Sequence, residues 1–207
     1  MFLLLVWTIC LAPPLSAAEA TGTLEPGKLA IVFQDGALEI NGTLVSLPTK
    51  IGDITALLGK QSRFAEKASD VYVWDELGIE ILSAPGTKTA STFNVYIRKR
   101  KPVEKDRYLP SGQLYVDTRP KSDFSGTLIV DGVHITPALK FWELNAYKTG
   151  TPFRRSHWAH RYRFVGKVKN TPDRRFAIIA HLHDDRTIRK IEIYYEQSEP
   201  DTSGESP

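Results

Sequence analysis

The chain has 207 residues, 42% of them hydrophobic and 25% charged, with a formal net charge of +3. That balance excludes a disordered or collagen-like polymer and leaves material for one sizeable core or two small ones. Its single cysteine, Cys10, lies at the very start, so a chain that loses its leader has neither a disulfide frame nor a thiolate metal site.

In chain order, Phe2 to Ala12 is an uncharged apolar run, shorter than the about 20 residues a membrane span requires. Pro13-Pro14 and small residues at Ser16, Ala18 and Ala20 follow, as at a signal-peptide cleavage site. Residues 1–20 are therefore predicted to be a leader, and the protein to be exported to a periplasm with no stable membrane insertion after cleavage.

A strand is predicted around Leu29 to Phe33. Leu38 to Leu47 then places Asn41-Gly42 between apolar alternations, the signal for a type I′ hairpin. Ile51, Ile54, Leu57 and Leu58 have helical spacing, with Gly59 as the stop. Val71 to Trp74 alternates as a strand, Asp75-Glu76-Leu77-Gly78 turns the chain, and Ile79 and Ile81 resume the alternation. Structural roles are expected for Trp74 as a core anchor, Asp75 at the turn and Gly78 at positive φ. Thr92 to Ile97 closes this half, and Lys99 to Pro120, with prolines and many charges, reads as a linker.

Ninety residues after the first hairpin, Leu128 to Ile135 repeats the device around Asp131-Gly132. At the same offset Phe141, Leu144 and Tyr147 repeat the helical spacing before Gly150, and Tyr162 and Phe164 match Tyr72 and Trp74. Phe176 to His183 and Ile188 to Tyr195 are strands joined at Asp184-Asp185. Each half reads as hairpin, short helix and meander. The prediction is an α+β protein with antiparallel sheets and one short helix per half, built by internal duplication. Its units would be residues 21–107 and 108–195, with a disordered acidic tail at 196–207.

The stretch from Leu38-Glu-Ile-Asn-Gly through Leu57-Leu58-Gly59 to Tyr72-Val-Trp-Asp-Glu-Leu-Gly-Ile79 resembles an uncharacterised small bacterial domain. That domain is marked by an "ING" hairpin, a short helix ending in Leu-Gly and a "WDELGI" turn. Its members look like immunity-type proteins of bacterial toxin systems rather than enzymes. The resemblance covers about 60 residues of the first half, and its motifs carry fold more than activity. It implies a non-enzymatic protein, without cofactor, that binds and occludes a cognate toxin.

Charge points to where such a partner would sit. Residues 21–107 hold 12 Lys and Arg against 11 acids, whereas residues 108–195 hold 15 against 8. A partner with an acidic surface is implied, and export argues against nucleic acid. Arg154 to Arg163 packs four Arg, two His, a Trp and a Tyr into ten residues, the types enriched at binding hot spots. Arg154, Arg155, His157, Trp158, Arg161 and Arg163 are the predicted partner-binding residues. The competing reading has Trp158, His160, Tyr162 and Phe164 on one strand face toward the core, with His157, Arg161 and Arg163 on a solvated face.

A second class of function rests on His134, His181, His183 and Asp184, as an envelope hydrolase or metal-dependent enzyme. His181 and His183 are two apart and would share a strand face. No nucleophile elbow, dinucleotide fingerprint, P-loop or His-Glu-x-x-His motif supports a named enzyme class. No metal ligand set is assigned.

Overall fold

A computed structural model describes residues 28–65, 70–98, 118–148, 152–169 and 171–196. The predicted leader, most of the linker and nearly all of the acidic tail lie outside the described residues.

The first half contains β1 (Ala30–Gln34), β2 (Ala37–Ile40), β3 (Thr43–Val45), β4 (Thr49–Lys50) and α1 (Ile51–Leu58), then β5 (Arg63–Ala65), β6 (Asp70–Trp74), β7 (Ile79–Ser83) and β8 (Thr89–Tyr96). The second contains β9 (Thr127–Val130), β10 (Val133–His134), α2 (Phe141–Ala146), β11 (Arg154–Arg155), β12 (Arg161–Val168), β13 (Thr171–Leu182) and β14 (Ile188–Glu196). The helices hold only 8 and 6 residues, so the protein is mostly β rather than α+β.

Local chemistry explains the turns. Asn41 and Gly42, and Asp131 and Gly132, all have positive φ, as a type I′ turn demands. A third such pair, Asp35-Gly36, joins β1 to β2. It carries the same dipeptide signal and was missed in the sequence. Gly59, at φ 80°, ends α1.

The strands form two sheets. The smaller has the order β10-β9-β1-β2-β3, and the larger has nine strands, with β11-β12-β13-β14-β8-β7-β6-β5 in line and β4 beside β8. Pairing is antiparallel except between β1 and β9, which are parallel. One core lies between the sheets and draws on both halves. Phe33 meets Phe176 edge-on at 5.0 Å, and Ile31, Phe93, Ile81 and Ile191 are fully buried around them.

The strand order of the large sheet is palindromic about the β14–β8 seam. One row of outward-facing residues makes this explicit. Reading from one edge, Arg63, Val73, Glu80 and Asn94 are successive register partners; from the other, so are Arg154, Arg163, Ile179 and Glu192, and Asn94 pairs with Glu192. The helix entries match as well. Ile51 N donates to Lys88 O at 2.9 Å and Phe141 N to Arg186 O at 3.0 Å, and both acceptor residues have positive φ.

Candidate functional site

The far edge of the large sheet is a hairpin whose short strand, β11, pairs Arg154 with Arg163 and Arg155 with Tyr162. Ser156 N donates to Arg161 O at 2.9 Å and Leu182 N to His160 O at 2.8 Å, which pins the connecting turn to the end of β13. Trp158 sits in this turn, 59% exposed. The His157 ring centroid lies 5.5 Å from its ring and the Arg161 guanidinium 5.6 Å. The alternation predicted back to Trp158 stops at Arg161, where β12 begins, because His160 adopts φ 59° and breaks the extended backbone. Trp158 is therefore not a core residue. Tyr162 and Phe164 do turn inward, and Phe141 stacks on Tyr162 at 4.2 Å.

Arg154, Arg155 and Arg161 are exposed and pair with no acid among the described residues. Arg163, partly buried, reaches over the Tyr194 ring at 5.9 Å. Arg63, the register counterpart of Arg154 in the first half, is bound instead. Its Nε and Nη2 donate to the two Asp75 oxygens at 2.7 and 2.8 Å, a bidentate fork. That hydrogen bond outweighs burial, so the Asp75 carboxyl sits below its ordinary pKa. Asp75 also accepts from Lys121 N at 3.0 Å, and Arg63 donates to Arg119 O at 2.8 Å. Trp74, 2% exposed, donates from Nε1 to Gly59 O at 2.8 Å and so ties β6 to the end of α1.

Between the two edges, the outward face at the seam carries a buried polar cluster, of which sequence reasoning singled out only His181, as part of the enzyme reading. Asn94 donates to Glu80 at 3.2 Å, as does the Tyr96 hydroxyl. Burial first, then the Glu80 charge, pushes the Tyr96 phenol well above its ordinary pKa. Across the seam His181 Nε2 lies 2.8 Å from Glu192 Oε2, which also accepts from Lys190 at 3.0 Å. His181 is 2% exposed and burial pushes it down to about 4. A neutral ring then donates Nε2–H to Glu192 and leaves Nδ1 without a partner among the described residues. Burial alone would raise Glu192, but the His181 hydrogen bond and Lys190 hold it down at about 2. The sequence signal for these groups was a single polar residue inside an apolar alternation: Glu80 between Ile79 and Ile81, Asn94 between Phe93 and Val95, Glu192 between Ile191 and Ile193.

The residues of the enzyme reading are not brought together. His134 is exposed on β10 of the other sheet. The register shifts between His181 and Leu182 and β13 ends there, so His183 leaves the strand and its Nε2 lies 2.7 Å from Arg98 O. Asp184 is a turn residue with a 92% exposed side chain. Among the described residues no group of three His, Cys, Asp or Glu is placed to hold a metal ion.

Fold and surface together define a mostly-β protein of two stacked sheets with an open basic-aromatic hairpin at one edge. The chain belongs to the family described as a domain of unknown function, DUF7738, whose profile matches residues 30–145. The match runs from β1 into α2 and stops short of Arg154 to Arg163. No curated protein and no solved structure matches the chain.

Proposed function

We propose that this is an exported, non-enzymatic binding protein of the immunity type, which captures an acidic toxin and occludes it with the β11–β12 edge. One observation carries the reading: Arg154, Arg155 and Arg161 stand exposed with no acid partner among the described residues, beside the exposed indole of Trp158. Fixing an exposed arginine costs about 2 kcal/mol of rotamer freedom, which the charge-assisted bidentate contact with a carboxylate offsets once water is excluded. The charge excess of the second half would steer encounter with an acidic surface. Export rests on the predicted leader at residues 1–20.

The proposal includes an origin by duplication, with the first copy in residues 21–107 and the second in 108–195. Its support is the palindromic strand order and the paired helix entries at Lys88 and Arg186. β1 would then be an addition between the copies, since the β2–β3 and β9–β10 hairpins flank it.

The test is affinity capture with the full chain, tagged at its C-terminus, against lysate and the products of neighbouring genes. A single stoichiometric protein whose toxicity disappears on binding is the expected result. Arg154→Ala combined with Arg161→Ala should weaken capture at least about tenfold, the size of one lost charge-assisted contact, with no fall in melting temperature. Capture unaffected by that pair, or a pair that unfolds the protein, would overturn the assignment.

A further inference from the structure

The two halves of the large sheet act as controls for each other. Positions that build the fold carry the same kind of residue in both: Ile51 and Phe141 open the helices, Ile54 and Leu144 are buried beneath them, and Tyr72 and Tyr162 face inward. The outward row differs. Val73 of β6 is 1% exposed, whereas its counterpart Arg163 is partly exposed. Arg63 and Arg154 are the same residue at the same register position, opposite Val73 and Arg163. Among the described residues only Arg63 of the two has a carboxylate, and it comes from Asp75, two residues beyond Val73 on the same face. Two residues beyond Arg163 stands Val165.

We infer that Arg154 is a carboxylate receptor, and that an Asp or Glu side chain of the protein partner takes the place that Asp75 fills in the first half. This rests on the capture reading above and adds the chemistry of the contact. Arg63 shows the geometry such a site accepts: a fork of two N–H donors on the two oxygens of one carboxyl group. In the first half the same carboxylate accepts from the backbone at Lys121, and the following segment crosses the strand ends through Ser122 N to Asp75 O at 2.9 Å and Phe124 N to Tyr96 O at 2.7 Å. The second half has no described segment in that place, and its arginine is open to solvent. Arg154 alone in water would hold a carboxylate weakly, so affinity depends on a partner that excludes water around the fork.

The inference is testable by supplying the missing group. Val165→Asp places a carboxylate at the position equivalent to Asp75, and Val165→Asn places its uncharged isostere there. The probe is an end-blocked, dye-labelled hexa-aspartate peptide, titrated against the full chain at low ionic strength by fluorescence anisotropy. Val165→Asp should weaken binding about threefold, and Val165→Asn less than about 1.5-fold, as expected of a solvent-exposed ion pair. In an Arg154→Gln background Val165→Asp should add less than about a further twofold, the non-additivity of two groups that share one contact. Arg154→Gln is an exposed substitution that preserves the fold, so it tests the site even if Val165→Asp does not fold. It should weaken binding about threefold, whereas Lys60→Gln, an equal loss of charge in the first half, should not. Equal losses from Arg154→Gln and Lys60→Gln, or additive losses in the cycle, would overturn the inference in favour of general charge attraction. Peptide binding at Arg154 without capture of any protein would leave the carboxylate site standing and remove the protein-partner reading. Capture insensitive to Arg154→Gln would do the reverse.

Discussion

His181 and Glu192 show how a buried hydrogen-bonded pair sets the acid limit of this protein. The folded state keeps His181 neutral down to about 4, while an unfolded chain protonates it near 6.5. Between those values the unfolded state binds more protons, so stability is full above about pH 6.5 and falls as the pH drops toward 4. Glu192 acts in the same sense further down: its contribution is present above 4.5 and fades toward 2. His181→Gln retains an N–H donor toward Glu192 and removes the first of these protonations. Chemical denaturation across pH 4 to 6.5 should give a shallower slope for this variant, by up to about 1.4 kcal/mol per pH unit for one proton. An unchanged slope would mean that His181 titrates alike in both states. Neither partner of the pair was legible as such in the sequence, because His181 and Glu192 meet only through the pairing of β13 with β14.

At the scale of elements, glycine conformations rank the turns. Gly78 has φ 67°, and a Cβ there would lie 2.4 Å from Phe124 N, a backbone atom that cannot swing aside. Gly42 has a comparable φ of 76° but open space around it. Gly42→Ala should therefore cost about 1 kcal/mol, the price of the left-handed backbone alone. Gly78→Ala should cost several times as much, on the order of 3 kcal/mol or more, because it also displaces the 123–124 segment. Urea midpoints at constant m-value separate the two cases. The β2–β3 and β9–β10 hairpins, both helices and most strands were legible because each has a local cause: an Asn-Gly or Asp-Gly pair, a helical apolar spacing, a period of two. The limits of β12 and β13 were not. Positive φ at His160 and the register shift after His181 both break an alternation that composition alone would extend. That is why the competing reading of the basic stretch put Trp158, and the enzyme reading put His183, on strand faces they do not occupy.

For the whole molecule the question is whether two similar halves are two folding units. The seam argues for one. β8 and β14 pair over five residues each, β1 and β9 join the halves in the other sheet, and the core is a single cluster. Either half alone would expose a long strand edge and half of that core. Residues 21–107 and 108–195, expressed separately, should each fail to give protected, cooperative structure, while the full chain melts in one transition. Calorimetric and van't Hoff enthalpies that disagree for the full chain, or an isolated half that melts cooperatively, would contradict this. The two runs of hairpin, helix and strands were readable from local signals ninety residues apart. Their merger into one sheet was not, because strand order across the seam depends on pairing between residues about a hundred positions apart.

The position of β1 bears on how the protein comes into being. Of the described strands this one is made first, and β2 follows it at once through the Asp35-Gly36 turn. Its opposite edge waits for β9, nearly a hundred residues later. A ribosome adds about 5–20 residues per second, so that edge stays open for many seconds on a growing chain, and again on any chain threaded amino-end first through a membrane pore. Until β9 arrives, that edge is a template on which a neighbouring chain could pair wrongly, so the smaller sheet waits on one long-range closure.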